Sequence, residues 1–234
     1  METKLKKLIY DERLPVPINL CVNPCARRLI LRISSIDNQV HVTVPTFVSE
    51  QQAIEFAVSR TDWIRKHIKT MPKQIHIGLG TFVPIEGHHY RVSSAKGGQT
   101  RRDSKRVLVL GPPSEIGMRL EDYLIDLARE KLYQASQDYA DTLGVNFTKI
   151  SVRDNVSRWG SCSIHRSLSY AWRLIMAPSK VLRYVAAHEV AHLAEMNHSD
   201  SFWKTLESIH GPYEFPKIWL RTYGTNLHRY IFRA

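Results

Sequence analysis

The segment from about Ser179 to Glu195 constrains the fold most, because it is apolar on almost every helical face yet carries two histidines and a glutamate among the apolar residues. An apolar pattern on all sides is typical of a buried helix. The apolar positions are Val181, Leu182, Tyr184, Val185, Ala186, Ala187, Val190, Ala191 and Leu193. His188, Glu189 and His192 lie among them, and burying these three side chains costs several kcal/mol unless they are paired or bind a metal.

The spacing of the two histidines predicts that they share one metal ion. His188 and His192 are four residues apart, so on a helix both imidazoles point to the same side. Glu189 then lies beside the metal, where its carboxylate can take a proton from a water molecule that the metal activates. A catalytic zinc has three protein ligands and an open position, and His198 is the predicted third ligand. The alternative is that the histidines are core residues and Glu189 forms an ion pair elsewhere.

The chain has to turn sharply between His192 and His198 for both to reach one metal. The metzincin pattern has the same histidine spacing and uses a glycine for this turn. Here Glu195 occupies the glycine position, and no Met-turn is identifiable, so the sequence does not fit the metzincins. Asn197, which tolerates left-handed backbone conformations, is the residue expected to make the turn.

The remainder of the chain predicts an α+β protein. Period-two alternation in 28–33 and 39–45 predicts a β-hairpin with a polar turn at 34–38. A helix is expected from Ser49 to the Met71-Pro72 pair, and another over 118–143 before Gly144.

Short strands are expected between residues 75 and 110, followed by the chain break at Gly111-Pro112-Pro113. This composition shift suggests a β-rich N-terminal region with one helix over residues 1–115 and a catalytic region over 116–234. The two regions are expected to form one compact domain.

Charge and composition set limits on the function. The 234 residues carry 33 Lys and Arg against 22 Asp and Glu, a net charge of +11. Because no long run of basic residues occurs, nucleic-acid binding is an alternative and not the leading hypothesis. The sequence shows no signal peptide and no apolar stretch of about 20 residues, so no membrane association is expected. Three cysteines argue against a disulfide framework and for a cytoplasmic location.

Three sets of motifs, in order, resemble those of the YgjP-like metal-dependent hydrolases. The first set is the Arg27-Arg28 strand, Val42-Thr43-Val44-Pro45 and the Trp63-Ile64 helix, and the second is Arg158-Trp159-Gly160-Ser161-Cys162-Ser163 followed by Ala171-Trp172-Arg173-Leu174. The third is His188-Glu189-Val190-Ala191-His192-Leu193 with Asn197-His198-Ser199 and Phe202-Trp203. The resemblance spans roughly residues 20–230, and the sequence is more distantly similar to SprT-like and WLM zincin proteases. It implies a zincin-like, minigluzincin-like core with a metal-binding helix under a small mixed sheet. It also implies Zn²⁺ on His188, His192 and His198, with Glu189 as catalytic base.

Residues around these motifs have two interpretations. Arg158, Trp159 and Ser161 could border the cleft, where a peptide adds as a strand, or could form a tight hairpin with Trp159 as a core anchor. Cys162 could be a fourth ligand, although free cysteines are usually small buried hydrophobes. Phe202 and Trp203 are expected to pack behind His198.

A donor for the oxyanion of amide hydrolysis is also needed. Tyr213, His210 and Tyr223 are candidates by position alone.

The leading hypothesis is therefore a zinc-dependent metallopeptidase-like hydrolase that acts on a peptide or protein. The alternatives are a nucleic-acid-associated protein, such as a protease that acts on DNA-bound proteins, and a pseudo-enzyme in which zinc only stabilises the fold.

Overall fold

The computed structural model describes residues 6–34, 39–70 and 73–233, so most of the predicted turn at 34–38 and the Met71-Pro72 pair lie outside it. The chain divides into two compact units, residues 1–73 and 74–234. None of the helices in the described ranges is both long enough and apolar enough to cross a membrane.

The first unit is built on a four-stranded sheet. Its strands are β1 (Lys6–Ile9), β2 (Ile18–Val22), β3 (Ile30–Ile33) and β4 (Val40–Val44), in the order β1-β2-β4-β3. β3 and β4 pair antiparallel, as the alternating pattern predicts, whereas β2 and β4 run parallel. The inward residues of β2 and β4 form this unit's core with the helices that follow.

Two helices replace the single helix predicted from Ser49 onward. They are α1 (Glu50–Val58), which begins with a capping box between Ser49 and Gln52, and α2 (Thr61–Thr70). At the break, the Ser59 hydroxyl donates to the Phe56 carbonyl and the Thr61 hydroxyl to the Val58 carbonyl, each at 2.7 Å. Such side-chain bonds to nearby backbone compete with helix continuation, and the sequence reading overlooked them.

The second unit begins with short strands. They are β5 (Ile75–His76), β6 (Phe82–Ile85), β7 (His88–Ser94), β8 (Arg101–Arg102) and β9 (Arg106–Val109), and β6 to β9 form a sheet in the order β6-β7-β9-β8. Val83, Val92 and Val107 from this sheet join the same core as the helices that follow. The boundary suggested at residues 115 and 116 therefore falls within the second unit, because burial is continuous across it.

The centre of the second unit is the long helix α3 (Ile116–Leu143), which ends at Gly144 in the left-handed conformation. A three-stranded sheet follows, composed of β10 (Lys149–Arg153), β11 (Gly160–Cys162) and β12 (Ser167–Ala171). β12 is central, parallel to β10 and antiparallel to β11, so the sheet is small and mixed and β11 is one of its two edge strands.

The remaining helices complete the α+β fold. They are α4 (Ser179–Ala191), α5 (Asp200–His210) and α6 (Glu214–Tyr223). A last strand, β13 (Tyr230–Ile231), pairs in parallel with β5. α4 packs against α3 on one side and against β11 on another, so it occupies the interior of the unit as its apolar pattern predicts.

Candidate metal centre

α4 carries His188 and Glu189 into the interior. The helix ends at Ala191, and His192 is its C-cap residue. Glu189 is 5% and His192 9% exposed, while His188 is partly buried. Since most of the other residues of α4 are apolar and buried, the surrounding core holds these three polar side chains in place.

The structure brings His188, His192 and His198 together. One ring nitrogen from each lies within 4.8 Å of the others. Nε2 of His188 and Nε2 of His198 are 3.1 Å apart. Within the described ranges, this is the one group of three or more His, Cys, Asp or Glu side chains whose possible metal-ligand atoms converge in this way.

The Nδ1 atoms of His192 and His188 have different surroundings. Nδ1 of His192 donates a hydrogen bond to the Glu195 carbonyl at 2.9 Å, which leaves Nε2 with its lone pair free to bind a cation. Nδ1 of His188 is buried and has no hydrogen-bond partner in the part of the chain described. A buried unpaired donor of this kind costs about 1–3 kcal/mol, and no hydrogen bond at Nδ1 orients the His188 ring.

The turn that returns His198 to the site differs from the prediction. In the described ranges, the non-glycine residues with positive φ are Glu86 and Arg166, so Asn197 is not left-handed. Instead, the Asn197 side-chain oxygen accepts a hydrogen bond from the Ser199 amide at 3.2 Å, which forms an Asx turn. Ser199 then caps α5. Asn197 therefore makes the turn as expected, but it does so through its side-chain hydrogen bond, and only the expected left-handed backbone is wrong.

Phe202 and Trp203 at the start of α5 pack against the histidines. Phe202 is fully buried and stacks on His192 with ring centroids 4.5 Å apart. The Phe202 ring also packs edge-to-face against His188 and His198, with ring centroids 4.9 Å and 4.8 Å apart. The ring centroid of Trp203 lies 5.7 Å from that of His198. One aromatic side chain therefore touches all three imidazoles and restricts their rotation.

Gly160 on β11 creates the space that Glu189 occupies. A methyl group at position 160 would lie 2.5 Å from Oε1 and 2.6 Å from Cγ of Glu189, closer than atoms can approach. The sequence analysis missed this role of Gly160. The only signal was a glycine within a short strand, which indicates close approach of another group.

Burial sets the protonation preferences of the site. It raises the pKa of Glu189 to about 8, against the opposing charge of Arg158. Burial, together with His192, His198 and Lys217, lowers the pKa of His188 to about 3. The protein alone therefore disfavours charge on both groups, whereas a cation between the histidines would favour the neutral imidazoles and the carboxylate.

Cys162 does not join the histidines in the metal-ligand cluster. Burial raises the pKa of its thiol to about 11, with a further contribution from Glu189. Since the thiolate is the form that binds metals, this thiol has the character of the small hydrophobe that the sequence analysis favoured.

The residues of the Arg158–Cys162 segment have different surroundings. Arg158 is exposed. Trp159 packs against the second-unit core, with its ring 5.5 Å from His228 and in close contact with Gly224. Ser161 pairs with Ser169 of β12 and lines the site. The segment thus combines both interpretations, since Trp159 anchors a hairpin that also borders a cleft.

Two adjoining cavities flank Glu189. One, of about 260 Å³, is lined by His192, His198 and Met196 and by the β11 residues. The other, of about 200 Å³, is lined by Trp159, Tyr184 and Leu220. Gly160, His188 and Glu189 line both cavities, so the carboxylate lies where the two meet.

The three oxyanion candidates lie away from this junction. Tyr213 stacks on Trp203 and Tyr184, and His210 packs against Tyr139 and Tyr184. Tyr223 is 51% exposed and lines a separate cavity. None of the three lines the cavities that contain Glu189.

The donor set fits a divalent transition metal. Three imidazoles converge, and a tetrahedral metal with bonds of about 2.05 Å would place its nitrogen ligands about 3.3 Å apart. The observed spacing of 3.1 Å between two of them is close to that value. Imidazole nitrogens suit zinc, copper, nickel and iron.

Comparison with known proteins assigns the family. The YgjP-like metallopeptidase domain matches residues 27–223. No curated protein matches. Among solved structures, the metallopeptidase zymogen abylysin of Pyrococcus abyssi is 20% identical, with a TM-score of 0.35, and the match covers 40% of this chain and 92% of abylysin. A likeness this low carries no argument about the fold. The family match spans most of the sequence and includes the metal centre, and the chain therefore belongs to the YgjP-like metallopeptidase family.

Proposed function

We propose that this protein is a zinc-dependent peptidase that hydrolyses an amide bond at the junction of the two cavities. The observation that carries the proposal is the convergence of three imidazole nitrogens within 4.8 Å beside a buried carboxylate. His188, His192 and His198 would hold the metal. When bound, a zinc ion supplies a Lewis acid that polarises the carbonyl group and makes water acidic enough to ionise near neutral pH.

Glu189 is the proposed general base and then general acid. It accepts the proton of the attacking water and passes it to the leaving amine nitrogen. Gly160 leaves room for the carboxylate, and the core around α4 holds it beside His188. The Glu195 carbonyl orients His192. These contacts pre-position the groups, which is where much of the catalytic effect of such sites originates.

The edge strand β11 is the proposed docking site for a peptide. Within the described ranges, β11 pairs only with β12, so its other edge carries unpaired backbone groups. Gly160, Ser161 and Cys162 line the cavity that contains the histidines. A peptide that adds as a strand here would pass directly over Glu189 and the metal.

Metal analysis and one substitution test this function together. Purified protein should contain about one zinc per chain by mass spectrometry, as a three-ligand site requires. Glu189→Gln should keep that zinc and lose hydrolysis of fluorescein-labelled casein and of a quenched-fluorescent peptide library. Glu207→Gln, on the exposed surface of α5, is the matched control and should behave as wild type.

Two outcomes would contradict the proposal. Protein that takes up no zinc after reconstitution would exclude the metal centre. Protein that holds zinc, is stabilised by it and hydrolyses neither probe would point to a pseudo-enzyme whose metal only supports the fold.

A further inference from the structure

Tyr184 lies one helical turn before His188 on α4 and has no part in the function proposed above. It is 6% exposed, and its ring meets the His188 ring edge-to-face with centroids 6.0 Å apart. Residues four apart on a helix share a face, so Tyr184 and His188 point to the same side of α4. By its position in the sequence, Tyr184 is only one of the apolar core positions of the helix.

Tyr184 lines the cavity on the far side of Glu189 from His198. That cavity of about 200 Å³ also contains Trp159, Gly160, His188 and Glu189. His192 and His198 line only the other cavity. A carbonyl group placed beside Glu189 would therefore have His192 and His198 on one side and Tyr184 on the other, with His188 bordering both cavities.

The ring of Tyr184 is held while its hydroxyl is free. The ring stacks on Tyr213 with centroids 6.1 Å apart at 17°, and it packs edge-on against His210 at 5.8 Å. In the described part of the chain, the hydroxyl makes no hydrogen bond, and it is not among the fully buried unpaired atoms. The hydroxyl is thus solvent-accessible and unpaired on a residue that lines the cavity, so it is available to donate a hydrogen bond to a bound group.

We propose that the Tyr184 hydroxyl donates a hydrogen bond to the carbonyl oxygen of the scissile amide as negative charge develops there. The proposal rests on the function proposed above. The water oxygen bonds to the carbonyl carbon, the C=O π pair moves to oxygen, and a water proton passes to Glu189. On collapse the C=O bond re-forms, the C–N pair leaves with the amine, and the amine takes the proton from Glu189. Tyr184 keeps its proton throughout.

Position distinguishes Tyr184 from the donors that the sequence suggested. Tyr213 lies behind Tyr184 in the aromatic stack, and its other ring contact is with Trp203. Tyr223 faces a separate cavity of about 350 Å³. Of these three tyrosines, only Tyr184 lines the same cavity as Glu189.

Three phenylalanine substitutions in zinc-reconstituted protein test the proposal. With a peptide from the library that wild type cleaves, Tyr184→Phe should lower kcat about 10²- to 10³-fold with KM nearly unchanged, as loss of one oxyanion donor does. Tyr213→Phe tests the neighbouring candidate and should stay within about threefold of wild type, since a hydroxyl with no catalytic hydrogen bond contributes little. Tyr133→Phe, on the exposed side of α3, is the control for the loss of a tyrosine hydroxyl group away from the site.

A binding measurement gives a second readout that does not depend on turnover. Acetohydroxamic acid presents a charged oxygen to a zinc site, so its dissociation constant for Tyr184→Phe should rise at least about tenfold by calorimetry. Zinc content equal to wild type shows that the variant folds, because phenylalanine preserves the ring contacts. An unchanged dissociation constant, or a Tyr184→Phe kcat within about threefold of wild type, would overturn the role of Tyr184.

The two proposals fail in different ways. If wild type cleaves no probe, the peptidase function itself is contradicted. If wild type cleaves the peptide, Glu189→Gln does not, and Tyr184→Phe is as active as wild type, only the role of Tyr184 is lost. A large kcat loss in Tyr213→Phe alone would assign the donor to Tyr213 instead.

Discussion

Gly160 shows how much the site depends on one missing methyl group. Oε1 of Glu189 lies 2.5 Å from where a Cβ at position 160 would be, so the smallest residue on β11 determines where the proposed base can lie. Close approach of a side chain to a backbone is a recurring reason for glycine within a strand.

Gly160→Ala should therefore impair catalysis more than metal binding. The added methyl group would displace the Glu189 carboxylate, and a shift of about 1 Å at a reacting group can cost about 10² in rate. Zinc content should stay at the wild-type level, because the three atoms nearest to that methyl group all belong to Glu189 and none to a histidine. Steady-state kinetics and metal analysis of the same sample provide the check.

Gly78→Ala is the matched control for this substitution. An added methyl group at Gly78 meets nothing within 4 Å, and its φ is not in the left-handed region. Its activity should equal that of wild type. A Gly160→Ala variant as active as Gly78→Ala would show that Glu189 need not occupy its observed position.

At the scale of elements, α4 and α5 divide the construction of the metal centre between them. α4 supplies His188 and, at its C-cap, His192, whereas the Asx turn at Asn197 and the Ser199 cap set the direction in which α5 leaves. α5 then places Phe202 against all three imidazoles. The histidine orientation is thus a property of the helix pair.

Phe202→Leu should weaken zinc binding more than it weakens the fold. Leucine keeps most of the buried volume, so the loss of stability should be below about 1.5 kcal/mol. Loss of the ring stack frees His192 and His198, and loosened support of ligands costs about 10- to 100-fold in metal affinity. Competition with a chelator measures that affinity, and chemical unfolding measures the stability.

Phe232→Leu provides the comparison at a site away from the metal. Phe232 is buried and packs edge-on against Trp172. It should lose similar stability and no zinc affinity. Equal zinc affinities in the two variants would mean that Phe202 contributes to the core and not to the ligands.

At the scale of the whole molecule, burial of histidines links stability to pH. His228 is 3% exposed, and burial lowers its pKa, helped by Arg173 and opposed by Asp154. The unfolded chain has an ordinary histidine pKa near 6.5 and so binds the proton first. The contribution of His228 is therefore present above about pH 6.5 and is lost as the pH falls towards its lowered value in the folded protein. Burial also lowers the pKa of His210.

His228→Gln should make the stability of the second unit less dependent on pH between 7 and 5. One such group contributes up to about 1.4 kcal/mol per pH unit to this slope. Urea unfolding followed by tryptophan fluorescence at several pH values measures the slope. His165→Gln, at an exposed position, is the control and should retain the wild-type slope. An unchanged slope in His228→Gln would contradict the assignment.

Much of the metal centre could be predicted from the sequence because its signals are local. Helical periodicity places His188 and His192 on one face whatever the rest of the chain does. The apolar pattern of α4 predicts its burial, and the α+β class follows from the alternating and helical segments. The net charge of +11 belongs to the sequence alone, and nucleic-acid binding stays a prediction.

Tertiary structure decided the features that depend on residues far apart in the chain. Gly160 and Glu189 are 29 positions apart, and their contact exists only because β11 packs on α4. The cavity that Tyr184 shares with Trp159 and Leu220 likewise joins three separate elements. Local propensity, by contrast, was enough to predict that His188 and His192 share a helix face, because residues four apart on a helix are always neighbours. The space around these histidines depends on packing between elements, which no local pattern records.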